Sequence, residues 1–328
     1  MLRLVAVILL VLQPVAALAL CEGRDLIDAM PEAEQQEVQA RAAATPYPEG
    51  LLWRAEKGET EITIFGTYHF RHAETDAHLE RMKPLIDAAD TVYLEMSLEE
   101  QKSFQDKLAR DPSIMFITQG ETLPTLLGED DWQHFRAEME ARMIPGVMAA
   151  KFKPLWAAMM LGIGPCEAKN GGLGGGGIDE MIGEYATEHG TGTRSLENFA
   201  EVLIKLDSTP LDKQIEMIRM TLAWPGDPND MSYTIRERYL QQQVALMWEF
   251  SRAVSLKYGG PTAEEDFARL EKIFLTDRNA GWAQKLMAEA TGRKVVVAAG
   301  AGHLPGEIGL LYLLEQEGFT IERLPLRP

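Results

Sequence analysis

Two segments near opposite ends of the chain carry the same short pattern. Ile62-Thr63-Ile64-Phe65 runs into Gly66-Thr67-Tyr68-His69, and Val295-Val296-Val297-Ala298-Ala299 runs into Gly300-Ala301-Gly302-His303. Each is an apolar run, then Gly-x-x-His. A third apolar run, Thr91-Val92-Tyr93-Leu94, ends on Glu95. If all three are strands of one parallel sheet, their carboxyl ends form the rim where α/β proteins place ligands. A glycine there is expected to let the backbone turn sharply and leave the histidine at the rim. His69, Glu95 and His303 would then meet in one pocket. Two imidazoles and a carboxylate can form the first shell of a divalent transition metal (Mn, Co or Zn) with open positions for water and a carbonyl. The same residues also permit metal-free chemistry, with one histidine as general base and Glu95 orienting it. A structural reading competes, since a histidine at a strand end can simply hydrogen-bond a loop carbonyl.

Further side chains stand beside this set. Asp277-Arg278-Asn279 reads as a helix start, with Asp277 as its N-cap. Arg278 could reach the pocket to bind a carboxylate or a developing oxyanion, and Asn279 could orient substrate. Glu197, after the short run Thr193-Arg194-Ser195-Leu196, repeats the placement of Glu95, with helix capping as its alternative. His72 is a minor candidate for the rim. His72 and His78 otherwise read as solvated, and His134 and His189, in helical and polar surroundings, need no functional explanation.

The elements that must hold these residues are read from pattern. A helix is expected over Asp25 to Ala44, ended by Pro46-Tyr47-Pro48. Strand 61–65, a helix over Ala73 to Ala89 and strand 91–94 form a βαβ unit, hence a parallel pair. Leu79, Met82, Leu85 and Ile86 mark the apolar face of that helix, and Pro84 predicts a kink or break in it. Residues 98–163 read as mostly helical with a kink at Pro145. Asn170 to Gly177 is a glycine-rich connector that matches no phosphate loop. Helix returns over Asp179 to His189 and dominates Phe199 to Ala290. Lys294 to Ala299 is the clearest strand, its unbroken apolar character suiting burial on both faces. A helix over Pro305 to Glu317 and a strand over Phe319 to Leu324 complete a second β–loop–α–β unit. The expected fold is therefore α/β: a small central sheet from two β–Gly-x-x-His–α halves, with a large helical insertion at about 98–190 and a helical segment at about 199–290. We expect one domain over residues 20–328.

The N-terminus has the marks of an export signal. Arg3 precedes an apolar run from Leu4 to Leu12, and Ala17 and Ala19 fit small-x-small cleavage, giving a signal peptide over residues 1–19. The run is shorter than the ~20 apolar residues a spanning helix needs. Lipidation of Cys21 ranks below simple cleavage, because Leu20 is bulky where a small residue is expected. No later segment is apolar enough to span a membrane. The protein is thus expected to be exported, periplasmic or secreted. In such an oxidising compartment its only cysteines, Cys21 and Cys166, are expected to pair. With 50 Asp and Glu against 32 Lys and Arg, the formal charge is −18, which repels nucleic acid and anionic membrane surfaces.

These motifs together carry a resemblance. Gly66-Thr67-Tyr68-His69, Val92-Tyr93-Leu94-Glu95, Lys153-Pro154-Leu155-Trp156, Gly177-Ile178-Asp179, Ser195-Leu196-Glu197, Asp277-Arg278-Asn279 and the run Gly300 to Leu311 occur in an order that resembles the TraB/GumN family, itself similar to the Tiki metalloproteases. The resemblance implies an α/β core shared with erythromycin-esterase-like and ChaN-like proteins. It also implies metal-dependent peptidase chemistry at the paired Gly-x-x-His motifs, both intact here along with Glu95. Bacterial members of the family are linked to pheromone shutdown and exopolysaccharide gene clusters. The Tiki C-terminal membrane anchor has no counterpart in this sequence. The resulting expectation is an exported metal-dependent hydrolase of peptides. The alternatives are a protein that sequesters a peptide or small molecule without turnover, and a metal-free esterase-like hydrolase.

Overall fold

The computed structural model describes residues 21–326. The expected signal peptide and its cleavage point lie outside them. Six strands form one mixed sheet: β1 (Leu52–Lys57), β2 (Thr60–Thr67), β3 (Thr91–Leu94), β4 (Thr193–Ser195), β5 (Lys294–Gly300) and β6 (Thr320–Arg323). Their spatial order is β4-β3-β5-β2-β1-β6. The strands β4, β3, β5 and β2 run parallel to their neighbours, while β1 is antiparallel to both β2 and β6.

This order corrects the expected βαβ pair. β2 and β3 do not pair with each other; the C-terminal strand β5 lies between them and pairs with both. The reason is burial. Val295, Val297 and Ala299 point to one face and Val296 and Ala298 to the other, all fully enclosed, so β5 requires the most interior position in the sheet. Strand β1 is an addition to the expected elements. Its hairpin with β2 turns at Gly58, whose φ of +61° suits glycine. The residues Leu52-Trp53-Arg54-Ala55 lack clean alternation of apolar and polar side chains because both faces of β1 are covered.

Two apolar layers sandwich the sheet. On one face Phe65, Val92, Leu94, Val296 and Ala298 meet Met82 and Ile86 from the helix Ala73–Asp87, and Ile178, Ile182 and Ala186 from the helix Ile178–Glu188. On the other, Ile62, Ile64, Tyr93, Val295 and Val297 meet Trp282, Leu286, Leu311 and Leu314. A separate apolar cluster joins the two helical segments: Leu123, Phe135, Met139, Phe152 and Leu161 pack with Ile215, Ile218 and Leu222. Cys21 and Cys166 form a disulfide, with an S–S distance of 2.09 Å, and this leaves neither thiol for lipidation. No helix among the described residues is long and apolar enough to cross a membrane.

Several local expectations change. The first helix spans Glu32–Ala44, beginning after Pro31 rather than at Asp25. The helix Ala73–Asp87 runs through Pro84 without a break. His78 is not solvated; it lies with Thr75, Met82 and Ile86 on the buried face, edge-on to Phe65 and Tyr239. The spacing 75, 78, 82, 86 is helical, but reading Thr and His as polar hides it. The last helix starts at Leu310, because Gly306 takes a φ of +93° and Gly309 packs its α-carbon against the Pro305 carbonyl.

Candidate functional site

Four neighbouring parallel strands end on one edge, and each delivers a side chain. In spatial order β4 leads to Glu197, β3 to Glu95, β5 to Gly300 and His303, and β2 to His69. The centre of the cluster is the α-carbon of Gly300. A β-carbon there would lie 3.1 Å from Glu95 Oε1, 3.4 Å from His69 Nε2 and 3.6 Å from His303 Cδ2. The three expected residues are therefore brought together. The expected reason for the glycines is corrected, however. Gly300 has φ −48° and ψ 132°, an ordinary extended conformation, and Gly66 is likewise absent from the left-handed region. Space, not turning, demands them: a β-carbon on Gly66 would press on Ala301 at 3.1 Å.

Arg278 projects into this edge from the opposite side. It belongs to the helix Asp277–Glu289, which continues from a π-helical turn, Lys272–Thr276. Asp277 is thus inside a continuous helical run, paired with Lys272, and is not an N-cap. The guanidinium is 11% exposed and uses all its donors. Nε donates to Glu197 Oε1 at 2.7 Å, Nη2 to Glu95 Oε2 and Glu197, and Nη1 to the Phe274 carbonyl at 3.2 Å and to His303 Nε2 at 3.1 Å. Its face lies 4.8 Å from the Trp282 ring. Glu197 is consequently an ion-pair partner of Arg278 rather than a helix cap.

His303 does not stand at a rim. It is 5% exposed and packs against Trp282, with ring centroids 4.3 Å apart. Asn279, fully buried, fixes its tautomer. Asn279 Nδ2 donates to the Ile308 carbonyl at 2.8 Å, so Oδ1 is left to accept from His303 Nδ1 at 2.6 Å. The neutral ring then presents the Nε2 lone pair to Arg278. Burial pushes His303 well below the usual imidazole range; Glu95 pulls the other way, and Arg278 reinforces the burial. Burial also works against the Glu95 carboxylate, but His303, Arg278, His69 and the Gly300 N–H, at 2.6 Å, hold it below the usual carboxylate range. A charged His303 and an ionised Glu95 would each favour the other. The fixed guanidinium decides the pair: Glu95 ionised, His303 neutral. Burial pushes Glu197 up, against Arg278.

His69 differs from its counterpart. Its side chain is 59% exposed, and its Nδ1 faces Asp179 Oδ1 at 3.4 Å. That oxygen is buried and accepts no hydrogen bond, so His69 is the polar group it faces. Partial desolvation by its neighbours opposes protonation, yet Asp179 and then Glu95 outweigh it and raise the pKa above the usual imidazole range. Solvent at this open ring screens the effect. Nε2 is left pointing at the cluster centre. Asp179 stands in the sequence only within the motif Gly177-Ile178-Asp179, with no chemical role read from it. The signal is the glycine-rich stretch before it, which reads as a mobile connector. Gly177 in fact packs its α-carbon on the His69 carbonyl, where a β-carbon would sit 2.4 Å away, and the next helix carries Asp179 into place.

Other candidates fall outside. His72 caps the helix Ala73–Asp87, accepting from the Glu74 N–H at 3.3 Å, and has no part in the cluster. His134 and His189 are exposed. The cavity that touches the cluster has a volume of about 380 Å³ and is lined in part by Glu197, Arg278, Trp282, Lys205 and Lys285. A cavity of about 410 Å³ lies between the helices Leu211–Ala223 and Ala263–Glu271, away from the strand ends.

A divalent metal on His69, Glu95 and His303 does not fit these donors as they stand. Both Glu95 oxygens and His303 Nε2 accept hydrogen bonds, three from Arg278 and the Gly300 N–H together. No group of three or more His, Cys, Asp or Glu among the described residues is set to hold a metal ion. What the arrangement offers instead is an accessible His–Asp pair, a buried fixed cation, and a neutral histidine that orients it.

The sequence profile of the TraB/PrgY/gumN family matches residues 51–323, from β1 to the end of β6. No curated protein matches the chain.

Proposed function

The chain belongs to the TraB/PrgY/gumN family, and on that premise we propose that it is an exported hydrolase, acting on peptides or small acyl compounds at the cluster around Gly300. The observation that carries this is the His69–Asp179 pair, whose free Nε2 points at the point where Glu95, His303 and Gly300 converge. His69 takes a proton from water at Nε2 while the water oxygen attacks the substrate carbonyl carbon. Asp179 faces Nδ1 at 3.4 Å, the placement of an orienting carboxylate behind a base in hydrolytic sites. Negative charge develops on the carbonyl oxygen beside Arg278, whose cation is already oriented by Glu95, Glu197 and His303. The proton then passes from His69 to the departing amine or alcohol. The Cys21–Cys166 disulfide and the acidic charge support work outside the cytoplasm, on substrates other than nucleic acid. The paired β–Gly-x-x-His–α halves support kinship with erythromycin-esterase-like and ChaN-like folds.

The test is cleavage of a fluorogenic peptide and ester library by the purified protein, beside His69→Ala and His134→Ala. Turnover lost with His69→Ala and kept with His134→Ala is expected. No turnover, with saturable binding of library members, would replace hydrolysis by sequestration.

A further inference from the structure

We propose that Arg278 is the resident cation of this site, holding the place a divalent metal ion would otherwise take. The inference shares the site of the proposed hydrolysis and the Arg278 contacts described there, but it does not depend on turnover. Among its acceptors are the atoms that would form a metal's first shell: Glu95 Oε2, Glu197 Oε1 and His303 Nε2. They come from three strand ends and converge on one positive group, as ligands converge on an ion. Two carboxylates buried to this degree need a cation nearby, and arginine provides one that no chelator removes and no pH in the working range discharges. Asn279 completes the arrangement. By accepting a hydrogen bond from His303 Nδ1 it keeps the proton on that nitrogen and turns the Nε2 lone pair inward, the service that outer residues perform for metal-bound histidines.

The helix carries the cation in with little freedom. The Phe274 carbonyl, within the π-helical turn Lys272–Thr276, accepts from Nη1, and Trp282, one turn on, covers the guanidinium face. Arg278 is therefore built into the site and is not a surface side chain that has swung across it. Removing its charge should leave Glu95, Glu197 and His303 as an unfilled acceptor set with His69 Nε2 near by, which is a competent nitrogen and oxygen set for Mn, Co or Zn.

Calorimetric titration of the full mature chain with Mn²⁺, Co²⁺ and Zn²⁺ tests this without reference to turnover. The wild type is expected to show no saturable binding at this site. Arg278→Ala and Arg278→Gln are expected to gain a saturable site, lost again when Glu95→Gln is added. Circular dichroism melts show whether each variant is folded. Saturable binding by the wild type that Glu95→Gln abolishes would overturn the proposal, since the metal would then displace the guanidinium. A folded Arg278 variant that binds none of the three metals would overturn it equally. If neither variant folds, the wild-type titration alone decides. Failure of the library assay leaves this result untouched, so the two readings fall separately.

Discussion

Replacing Gly300 with alanine puts a methyl group at the convergence of the strand ends. The backbone accepts it, since φ −48° and ψ 132° are open to any residue. Stiffening of the unfolded chain by such a change favours the folded state by about 0.4–1 kcal/mol. Against this stand the contacts: His69 Nε2 at 3.4 Å and His303 Cδ2 at 3.6 Å are ordinary, while Glu95 Oε1 at 3.1 Å must give by a few tenths of an ångström. Glu95 is held by Arg278 and the Gly300 N–H, so that movement offsets most of the gain. The net change in stability should stay within about 1 kcal/mol, or a few degrees in Tm. Activity should behave otherwise. The methyl fills the space in front of His69 Nε2, and a misplacement of about 1 Å in a reacting group can cost 10²-fold. We expect kcat/KM to fall by at least about 100-fold on a substrate found by the library. Gly192→Ala, at a glycine with open space around it, is the control and should leave kcat/KM unchanged. A folded Gly300→Ala protein with wild-type kcat/KM would refute the reasoning, because the reacting atoms could not then meet at this point.

Asp179→Asn removes the carboxylate that raises the His69 pKa. A base works only when neutral, so the raised pKa places the rise of the pH–rate profile above the usual imidazole range. The variant's rise should move down toward about 6.5, with a lower plateau because the ring loses its orienter; an unmoved profile would remove His69 as the base. Asn279→Ala leaves His303 Nδ1 and the Ile308 carbonyl without partners in a fully buried setting, and should destabilise the fold by about 1–3 kcal/mol in urea melts. His303→Ala should cost stability of the same order, about 1–3 kcal/mol, since the ring is buried against Trp282, and should lower kcat far more than a Tm shift of a few degrees would suggest. Reduction of Cys21–Cys166, which are 145 residues apart, should lower the unfolding free energy by about 2–5 kcal/mol, read from melts with and without reductant.

The strand cores and their terminal residues are legible because they rest on local pattern. Val295 to Ala299 can only be a buried strand, and Gly300 and His303 just beyond it fall at the sheet edge. The convergence of His69, Glu95 and His303 is readable for that reason. Neighbour relations are not. Nothing in the residues of β2 and β3 says that a strand more than 200 positions later separates them, because pairing is decided by burial over the whole sheet. Burial also alters the histidines. The two Gly-x-x-His motifs look equivalent in sequence, yet His69 is open to solvent and His303 is enclosed by Trp282 and Asn279, residues contributed by the helix that directly precedes β5. Arg278 is recognisable as able to reach the pocket, but its saturation by Glu95, Glu197 and His303 is a property of geometry alone. Asp179 is hidden behind glycines whose close packing resembles, in one dimension, a flexible linker.

The interior position of β5 bears on how the protein comes to be made. The strand that joins β2 and β3 follows both of them after a long helical stretch of chain, and until it is made they have no common partner. A nascent chain lacking it holds His69 and Glu95 on strand edges that are unpaired and prone to association with other chains. Such a fragment has no assembled cluster, so the convergence of His69, Glu95 and His303 arises in one step with completion of the sheet. The many contacts between residues far apart in sequence should also make that step slow compared with formation of the helical segments. The same order makes β5 a quality checkpoint: a chain clipped before Lys294 loses the centre of its sheet and every arrangement that depends on it, and should be cleared by proteases instead of persisting in a weakened form.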